Sequence, residues 1–237
     1  MLFLQQNNFM KEYIEILKKS PLFYNIDEND ISSILTCLSS NEKTYRKDEY
    51  VWTAENKITE VGIVLTGSVN IIKEDYWGNR AIISKITSGK MFGEAFSCSK
   101  LNKLPISVVT SEITKILFIN YKKIITVCSN TCIFHANLID NMLKILADNN
   151  IMLIQKMEHL VKKSTRQKIL SFLSEQAEKS NNNSFIINFN RQELADYLSV
   201  DRSAMSNEIC KLRDEGILLF NKNQFTLVEK TNKSQSL

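Results

Sequence analysis

The 237-residue sequence lacks the features that mark several large classes of protein. It has no run of about 18 uncharged apolar residues, so we expect no helix that spans a membrane. The first 20 residues have no basic segment before their apolar residues and no small-residue cleavage site, so they read as an amphipathic helix rather than a signal peptide. Nucleophile-elbow and P-loop motifs and metal-ligand spacings are also missing. We therefore expect no catalytic residue, no metal site and no enzymatic activity.

The cysteines and histidines are few and do not cluster. The cysteines are odd in number and scattered, at Cys37, Cys98, Cys128, Cys132 and Cys210. We expect buried free thiols in a reducing cytoplasm. Cys128 and Cys132 could share a helical face, but two thiols without a nearby histidine or further cysteine make a poor zinc or iron–sulfur site. A haem or redox role for these two cysteines and for the only histidines, His135 and His159, stays open.

The charge is only mildly positive, with a formal net charge of +4. From Val161 onward there are twelve Lys/Arg and nine Asp/Glu, a net charge of +3. Any binding of nucleic acid would therefore depend on a local patch. The 43% of hydrophobic residues are enough for a sizeable core, and the length allows one large or two ordinary domains.

The first part of the chain changes from helical to β-rich patterns. Asp27 is placed to cap a helix over 28–38, and from Lys43 to about Ile119 the sequence consists of short β-rich runs. Short strands at this spacing are typical of a sandwich or barrel. The strands are predicted over 60–65, 68–73, 80–86, 106–109 and 115–119, with turns at Thr66-Gly67, Trp77-Gly78-Asn79 and Ser88-Gly89.

A long helical stretch follows, from about Tyr121 to His159. Its apolar positions are Ile139, Met142, Leu143, Leu146, Ile151, Leu153, Ile154 and Met157. We expect one stripe to pack on the same chain and another on a partner chain. The alternative is a helix fully buried in a single-chain core. The polar residues 161–165 predict a domain boundary, and a further amphipathic helix is predicted over 166–177, before a polar loop over 178–183.

The stretch from Asn190 to Leu218 has the layout of two short helices joined by a tight turn. One apolar stripe comprises Leu194, Ala195 and Leu198, and a second comprises Ala204, Met205, Ile209 and Leu212. Asp201 can accept the free amides of the second helix, and Gly216 suits its left-handed C-terminal cap. This is the layout of a helix-turn-helix, whose second helix enters the DNA major groove. The alternative is an αα-hairpin that packs in a core.

Polar residues on the second helix are candidates for DNA contact. Arg202, Ser203, Ser206 and Asn207 are predicted to face solvent, where they can donate to phosphates and base edges. Two apolar runs then surround Asn221-Lys222-Asn223, which predicts a β-hairpin and the winged form of the motif, with Lys222 near the phosphate backbone. Arg191 and Lys211 complete the predicted DNA-binding set.

The order of these parts resembles the Crp/Fnr family of bacterial transcription regulators over nearly the whole chain. Val64–Val69 looks like the family's strand-glycine turn, Gly89–Glu94 looks like the G-x-x-x-G-E of its effector pocket, and the run 190–218 is the most specific match. The resemblance implies an α+β protein. It would have a double-stranded β-helix (jelly-roll-like) effector domain with N-terminal helices over 1–120, a long dimerisation helix over 121–160, a winged helix-turn-helix over 161–230 and a disordered tail over 231–237.

The predicted effector pocket departs from the pattern of members that bind cyclic AMP. There the glutamate holds the ribose hydroxyl, and an Arg-Ser pair holds the cyclic phosphate. Here Gly93 and Glu94 are retained, but Leu104 and Pro105 occupy the place of that pair, and neither can bind a phosphate. Lys103 is one residue away, but lysine lacks the planar fork of arginine. We expect a pocket that does not bind cyclic AMP, and the cofactor or effector is unknown.

Members of the family use two other cofactors, an iron–sulfur cluster and haem, and the positions of possible ligands bear on both. The oxygen-labile iron–sulfur cluster of the Fnr branch requires a cysteine cluster near the N-terminus, and no cysteine precedes Cys37. Some relatives bind haem, for which only His135 and His159 are available, and nothing beyond residue type supports either.

The resemblance also sets expectations for DNA recognition. Family members often place a second arginine near the middle of the reading helix, where this chain has Asn207 followed by Glu208. Arg202 can contact guanine O6 and N7, whereas asparagine prefers adenine N6 and N7, so the operator should differ from that of the cyclic-AMP regulator. Alternatively, Arg202 is a phosphate clamp without base readout, and Ser206 and Asn207 form a solvated face.

The implied function is a homodimeric, cytoplasmic regulator that binds double-stranded DNA. Its two recognition helices would lie ~34–36 Å apart and read a near-palindrome. RNA polymerase and a small-molecule effector are the other implied partners, and no membrane is involved. The alternative is a sensing module that acts through protein partners, which predicts DNA binding that is weak and indifferent to sequence.

Overall fold

The computed structural model describes residues 13–100, 103–126 and 133–228. The chain divides into two compact units between Asn150 and Ile151, inside the longest helix. The boundary that the sequence predicts lies later, at residues 160–161. Among the described helices, none combines the length and the low charge that a membrane crossing requires. The tail over 231–237, predicted to be disordered, lies outside the described residues.

The first unit begins with short helices. Residues 13–19 are helical (α1), and a 3-10 turn follows over Pro21–Phe23. Helix α2, Glu28–Cys37, starts after Asp27, whose Oδ1 accepts a hydrogen bond from the Asn29 amide at 3.0 Å. The predicted cap is therefore confirmed.

Two antiparallel four-stranded sheets form the β-domain of this unit. Their strands are β1 Asn41–Tyr45, β2 Tyr50–Trp52, β3 Glu60–Thr66, β4 Ser68–Glu74, β5 Arg80–Thr87, β6 Met91–Phe92, β7 Ser107–Thr110 and β8 Thr114–Asn120. The order is β1-β8-β3-β6 in one sheet and β2-β7-β4-β5 in the other. All five predicted strands are present within one residue at each end, whereas β1, β2 and β6 were not predicted.

The core of the β-domain lies between the two sheets. Val64 and Ile116 of the first sheet pack in one cluster with Val69 and Val108 of the second. Alternating inward residues from two sheets are the basis of a jelly-roll core. The turn between β3 and β4 requires Gly67, because its φ is +81° and a Cβ there would lie 2.5 Å from the carbonyl oxygen of Ile113. The predicted fold class is confirmed.

Three helices complete the first unit and lead into the second. They are α3 Glu94–Ser97, α4 Tyr121–Ile125 and α5 Ile133–Leu160. The stretch predicted to be one helix from Tyr121 is interrupted, because Thr126 has extended backbone angles and ends α4. Residues 127–132, which include Cys128 and Cys132, lie outside the described residues.

Helix α5 has two different apolar faces. Leu138, Met142 and Ile145 are buried in a core shared with the N-terminal helices. A second set of apolar side chains is exposed, namely Leu143, Ile151, Leu153, Ile154 and Met157. The alternative of a helix buried on all sides within one chain is therefore wrong.

The second unit is a small helical domain with a three-stranded sheet. Its elements are α6 Thr165–Ser180, β9 Ser184–Ile186, α7 Arg191–Leu198, α8 Arg202–Asp214, β10 Leu218–Asn221 and β11 Gln224–Leu227. The sheet order is β10-β11-β9, all antiparallel. Strand β9 was not predicted. The helices α7 and α8 and the hairpin β10–β11 are the predicted winged helix-turn-helix.

The thiols differ from the sequence expectation. Cys37 and Cys98 are exposed and Cys210 is half-buried, so the expectation of buried thiols is wrong for the first two. Both exposed cysteines lie at the C-terminal ends of short helices, on the side that faces solvent.

Candidate DNA-binding surface and effector pocket

The helix-turn-helix is built from strong local signals. Asn190 and Glu193 form a reciprocal capping box at the start of α7. Ser199 adopts left-handed angles at the end of α7, and the Asp201 carboxylate then accepts the Ala204 amide at 2.7 Å to start α8. Gly216, with φ of +70°, follows the last turn of α8. Both predicted caps of the second helix are confirmed.

Helix α8 buries one face and exposes another. Met205, Ile209 and Leu212 are at most 1% exposed and hold the helix against the domain. Ala204, in the first turn of α8, is exposed, so its prediction as part of the apolar stripe is wrong. The exposed face carries Arg202, Ser203, Asn207 and Lys211, with Ser206 half-buried beside them.

Glu208 of α8 is paired with an arginine that the sequence did not single out. Arg166 Nη1 donates to Glu208 Oε1 at 3.1 Å and to Glu215 Oε1 at 2.9 Å. Hydrogen bonding to Glu215 raises the pKa of Arg166, and the same pairing lowers the pKa of Glu215. Lys211 Nζ also lies 3.8 Å from Glu208 Oε2. The charge of Glu208 is therefore compensated, so it opposes an approaching phosphate less.

The wing, β10–β11 with its turn, carries the remaining predicted contacts. Lys222 is exposed at its tip, as the sequence predicts. Arg191, the first residue of α7, does not extend into solvent: its guanidinium lies over the rings of Phe220 and Phe225, and burial lowers its pKa. The predicted DNA-binding residues thus fall on three neighbouring elements of one unit.

The predicted effector pocket has a buried carboxylate. Gly93 precedes α3 with φ of +87°, and a Cβ there would lie 2.6 Å from the Trp52 ring. Glu94 is 5% exposed, and its Oε1 accepts a hydrogen bond from Asn149 Nδ2 of α5 at 2.6 Å. Glu94 Oε2 is buried with no hydrogen-bond partner among the described residues. Burial raises the pKa of this carboxyl above its usual range.

The positions that would hold a cyclic phosphate have other roles in this structure. Leu104 is 5% exposed and belongs to the β-domain core, while Pro105 is exposed. The backbone of Leu104 exchanges hydrogen bonds with Glu55 and Asn56. Lys103 Nζ donates to Glu55 Oε2 at 2.6 Å, so the lysine that could replace the missing arginine is already paired.

Aromatic rings fill the β-domain beside Gly93. The Trp52 ring centroid lies 5.0 Å from that of Phe92 and 5.9 Å from that of Phe118. Gly62 permits this packing, because a Cβ there would lie 2.4 Å from the Phe92 ring. Side chains of this chain thus occupy the space next to Gly93 and Glu94.

The two histidines are both buried. His159 Nδ1 lies 2.8 Å from Ser171 Oγ and its Nε2 lies 2.8 Å from Glu175 Oε2, so both ring nitrogens are engaged within the second unit. His135 is 5% exposed in the first turn of α5. Within the described residues, no cluster of three or more His, Cys, Asp or Glu side chains could hold a metal ion.

The chain matches two family models in the order that the fold shows. Residues 42–131 match the cyclic nucleotide-binding domain, and residues 167–231 match the Crp-like helix-turn-helix domain. Together these matches span well over half of the chain. No curated protein shows significant similarity to it.

Solved structures of regulators share the fold at low sequence identity. FixK2 from Bradyrhizobium japonicum is 19% identical, with a TM-score of 0.63, covering 80% of this chain and 93% of its own. CLP, the c-di-GMP-responsive global regulator of Xanthomonas campestris, is 17% identical, with a TM-score of 0.69 and coverage of 86% and 100%. A CooA mutant from Carboxydothermus hydrogenoformans is 20% identical, with a TM-score of 0.65 and coverage of 81% and 85%.

These relatives are transcription regulators rather than enzymes. The chain has a cyclic nucleotide-binding domain followed by a long helix and a Crp-like helix-turn-helix domain. The chain belongs to the Crp/Fnr family of transcription regulators.

Proposed function

We propose that this protein is a homodimeric, sequence-specific transcription regulator that reads a near-palindromic operator in the bacterial cytoplasm. The observation that carries the proposal is the exposed polar face of α8, with Arg202, Ser203 and Asn207 on a helix that is capped at both ends and anchored by three buried side chains. A rigid helix that presents short polar side chains is suited to the major groove. RNA polymerase is the expected protein partner of such a regulator at a promoter.

The base preference follows from the chemistry of two side chains. Arg202 begins α8 and is exposed, and no ion pair involves it among the described residues, so its planar fork is available for guanine O6 and N7. Asn207, five residues later, is also exposed and can both donate and accept, which matches adenine N6 and N7. Ser203 and Ser206 are short enough to bring the helix close to the base edges. We propose guanine and adenine as the bases read in each half-site.

Dimerisation is proposed through the exposed face of α5. Positions 140, 143, 147, 150, 154, 157 and 161 follow one another at alternating spacings of three and four residues, and all are exposed. This is the heptad spacing of a coiled-coil seam. Val161 continues the helical bonding of α5, because its amide donates to the Met157 carbonyl oxygen at 3.0 Å.

The residue types along this seam favour two parallel strands. Ile154 and Val161 are β-branched residues at a positions, while Leu143 and Met157 occupy d positions. That distribution is typical of parallel dimers. Asn150 at a d position adds a polar layer to this seam. A parallel dimer is two-fold symmetric, so its operator should be nearly palindromic.

We further propose that the β-domain does not bind cyclic AMP. The phosphate anchor is absent at Leu104 and Pro105, Lys103 is paired with Glu55, and Glu94 already accepts a hydrogen bond from Asn149. A cyclic nucleotide would have to break the last of these bonds and would find no planar cation for its phosphate.

The function is tested by selecting binding sites from random duplex DNA with the ligand-free protein. The proposal predicts an enriched near-palindrome, with half-sites about one helical turn apart, that contains guanine and adenine at symmetric positions. The affinity for the enriched site should not change when cyclic AMP is added. Absence of enrichment, with weak binding to every sequence, would instead favour a module that acts through protein partners.

Sedimentation of one double variant and one control variant tests the seam. Leu143→Glu together with Met157→Lys places charges on the seam and should yield monomers. The matched control is Asp148→Lys, an exposed position off the seam, which should remain dimeric. A dimer that survives the first pair of substitutions would contradict the assignment of the seam. Ile139 and Leu146 are less suitable targets, because both are half-buried and Leu146 packs against the core of its own chain.

A further inference from the structure

Arg191 makes an unusual set of contacts for a residue expected to bind DNA. It is the first residue of α7, and its Nη2 donates a hydrogen bond to the carbonyl oxygen of Lys222 at 3.0 Å. Lys222 is the tip of the wing and has a φ of +51°. A non-glycine residue rarely adopts such an angle unless its surroundings hold it there. The hydrogen bond therefore ties the start of the helix-turn-helix to the strained tip of the wing.

Aromatic rings of the wing surround the same guanidinium. Its central carbon lies 5.1 Å from the centroid of the Phe220 ring and 4.9 Å from that of the Phe225 ring. The two rings are stacked on each other with centroids 6.1 Å apart. Cation–π contacts at these distances are attractive, and arginine stacks on a ring better than lysine does. One strand of the wing carries Phe220 and the other carries Phe225, so Arg191 contacts both strands.

The surroundings of Arg191 do not suit a residue whose main role is to hold a phosphate. Its Nη1 is buried and has no hydrogen-bond partner among the described residues. The guanidinium of Arg191 is partly buried and already contacts the Lys222 carbonyl oxygen and two aromatic rings. It therefore has little accessible surface left for a phosphate. A positive charge at the first turn of α7 is also unfavourable for the helix dipole. An arginine at this position is therefore explained by its contacts with the wing rather than by any stabilisation of α7.

We propose that Arg191 is a positioning residue that fixes the wing so that Lys222 meets the DNA backbone, and is not itself a phosphate ligand. The contact of Lys222 with DNA rests on the proposed function, but the contacts between Arg191 and the wing exist in the free protein. The wing has short strands, β10 and β11 of four residues each, and β11 alone is joined to the rest of the sheet, through β9. The Ile187 amide also holds this end, because it donates to the Asn223 carbonyl oxygen at 2.9 Å. Without Arg191 the end that carries Lys222 keeps that bond but loses its hydrogen bond to the first residue of α7.

The experiment combines a measurement on the free protein with one on DNA. Amide hydrogen exchange over Phe220–Phe225 is measured for the wild-type chain, Arg191→Lys and Arg191→Met. Arg191→Met keeps the length and apolar contact, and Arg191→Lys keeps the charge without the planar fork. Both should speed exchange in the wing on the order of tenfold, as expected for loss of a hydrogen bond and a cation–π contact. Unchanged exchange in both variants would overturn the proposal.

The second measurement is the salt dependence of affinity for random duplex DNA. Each phosphate contact that is lost lowers the slope of log affinity against log salt by about one. Arg191→Met, Lys222→Ala and the double variant should each lose the same single unit, because both residues serve one contact. Lys211→Met is the matched control, and its loss should add to that of Lys222→Ala. Additive losses for Arg191→Met and Lys222→Ala, or a full slope in Arg191→Lys, would instead identify Arg191 as a phosphate ligand.

The two measurements separate failure of the proposal from failure of the proposed function. If the wild-type chain does not bind DNA at all, the exchange of the wing still decides whether Arg191 positions it. If Arg191→Met does not fold, Arg191→Lys supplies both readings, since it retains the charge and most of the side-chain volume.

Discussion

Lys156 offers a prediction whose magnitude follows from the structure. It lies on α5 and is 8% exposed, with its Nζ 4.2 Å from the centroid of the Tyr197 ring of α7. Burial lowers the pKa of Lys156 from 10.5 to about 8. At about 1.4 kcal/mol for each pH unit, this difference means that the charged form costs the folded state about 3 kcal/mol. Replacing the lysine by methionine removes this cost but also removes the attraction of the ammonium to the ring, roughly 0.5–2 kcal/mol.

Lys156→Met should therefore raise the free energy of unfolding of the second unit by roughly 1–3 kcal/mol near pH 7. The sign of the pH dependence follows from the lowered pKa. Between about pH 8 and pH 10 the folded lysine is losing its proton while the unfolded lysine retains it, so the stability of the wild-type chain rises with pH. The variant lacks this rise, and its advantage shrinks towards alkaline pH. Burial raises the pKa of Tyr197 to about 12, so that phenol does not titrate in the same window.

The assay is urea unfolding at several pH values, read by proteolysis of the second unit so that its transition is separated from that of the first. Lys162→Met is the matched control, because Lys162 is exposed and its replacement should change the stability little at any pH. A variant that is less stable than the wild type near pH 7, with an unchanged pH slope, would refute the reasoning. It would mean that the ring and polar contacts of Lys156 outweigh the cost of burying its charge.

Three further predictions concern the DNA-binding surface and the pocket. Arg202→Ala should cost roughly 1–3 kcal/mol of DNA affinity and relax the base preference at one position in each half-site. An equal loss of affinity for all sequences would instead identify Arg202 as a phosphate clamp. Glu94→Gln should stabilise the first unit at neutral pH, because burial raises the pKa of Glu94 and so disfavours its carboxylate form. In thermal unfolding, the advantage of the variant should fade as the pH falls. A variant with a lower melting temperature than the wild type at neutral pH would contradict this expectation. Arg166→Ala removes the ion-pair partner of Glu208, so the carboxylate should repel DNA phosphates and weaken binding measured by fluorescence anisotropy. Adding Glu208→Gln to the same chain should reverse this effect.

The parts of the structure that could be predicted from the sequence depend on local signals. Asp201 and Gly216 bound α8 because a carboxylate cap and a left-handed glycine act on neighbouring backbone groups. The five predicted strands are within one residue of those observed, because each is a short apolar run between turn residues. The placement of Lys222 at the wing tip likewise follows from a hairpin pattern within a few residues.

The features that could not be predicted depend on contacts between distant residues. Arg166 lies 42 residues before Glu208, and no spacing rule connects them. Strand β9 has only three residues and owes its conformation to pairing with β11. The contact of Asn149 with Glu94 and the placement of Arg191 against the wing also join separate elements. The family resemblance identified Glu94, and Arg191 was in the predicted DNA-binding set, but only the structure gives their partners.

The central claim is that α8 reads DNA as part of a symmetric dimer, and one paired measurement tests it most directly. Binding sites are selected from random duplex DNA with the wild-type chain and with Asn207→Arg, under identical salt. We expect two near-palindromes that differ at one base pair in each half-site, with adenine replaced by guanine at symmetric positions. Two identical motifs, or a change in only one half of the site, would contradict it.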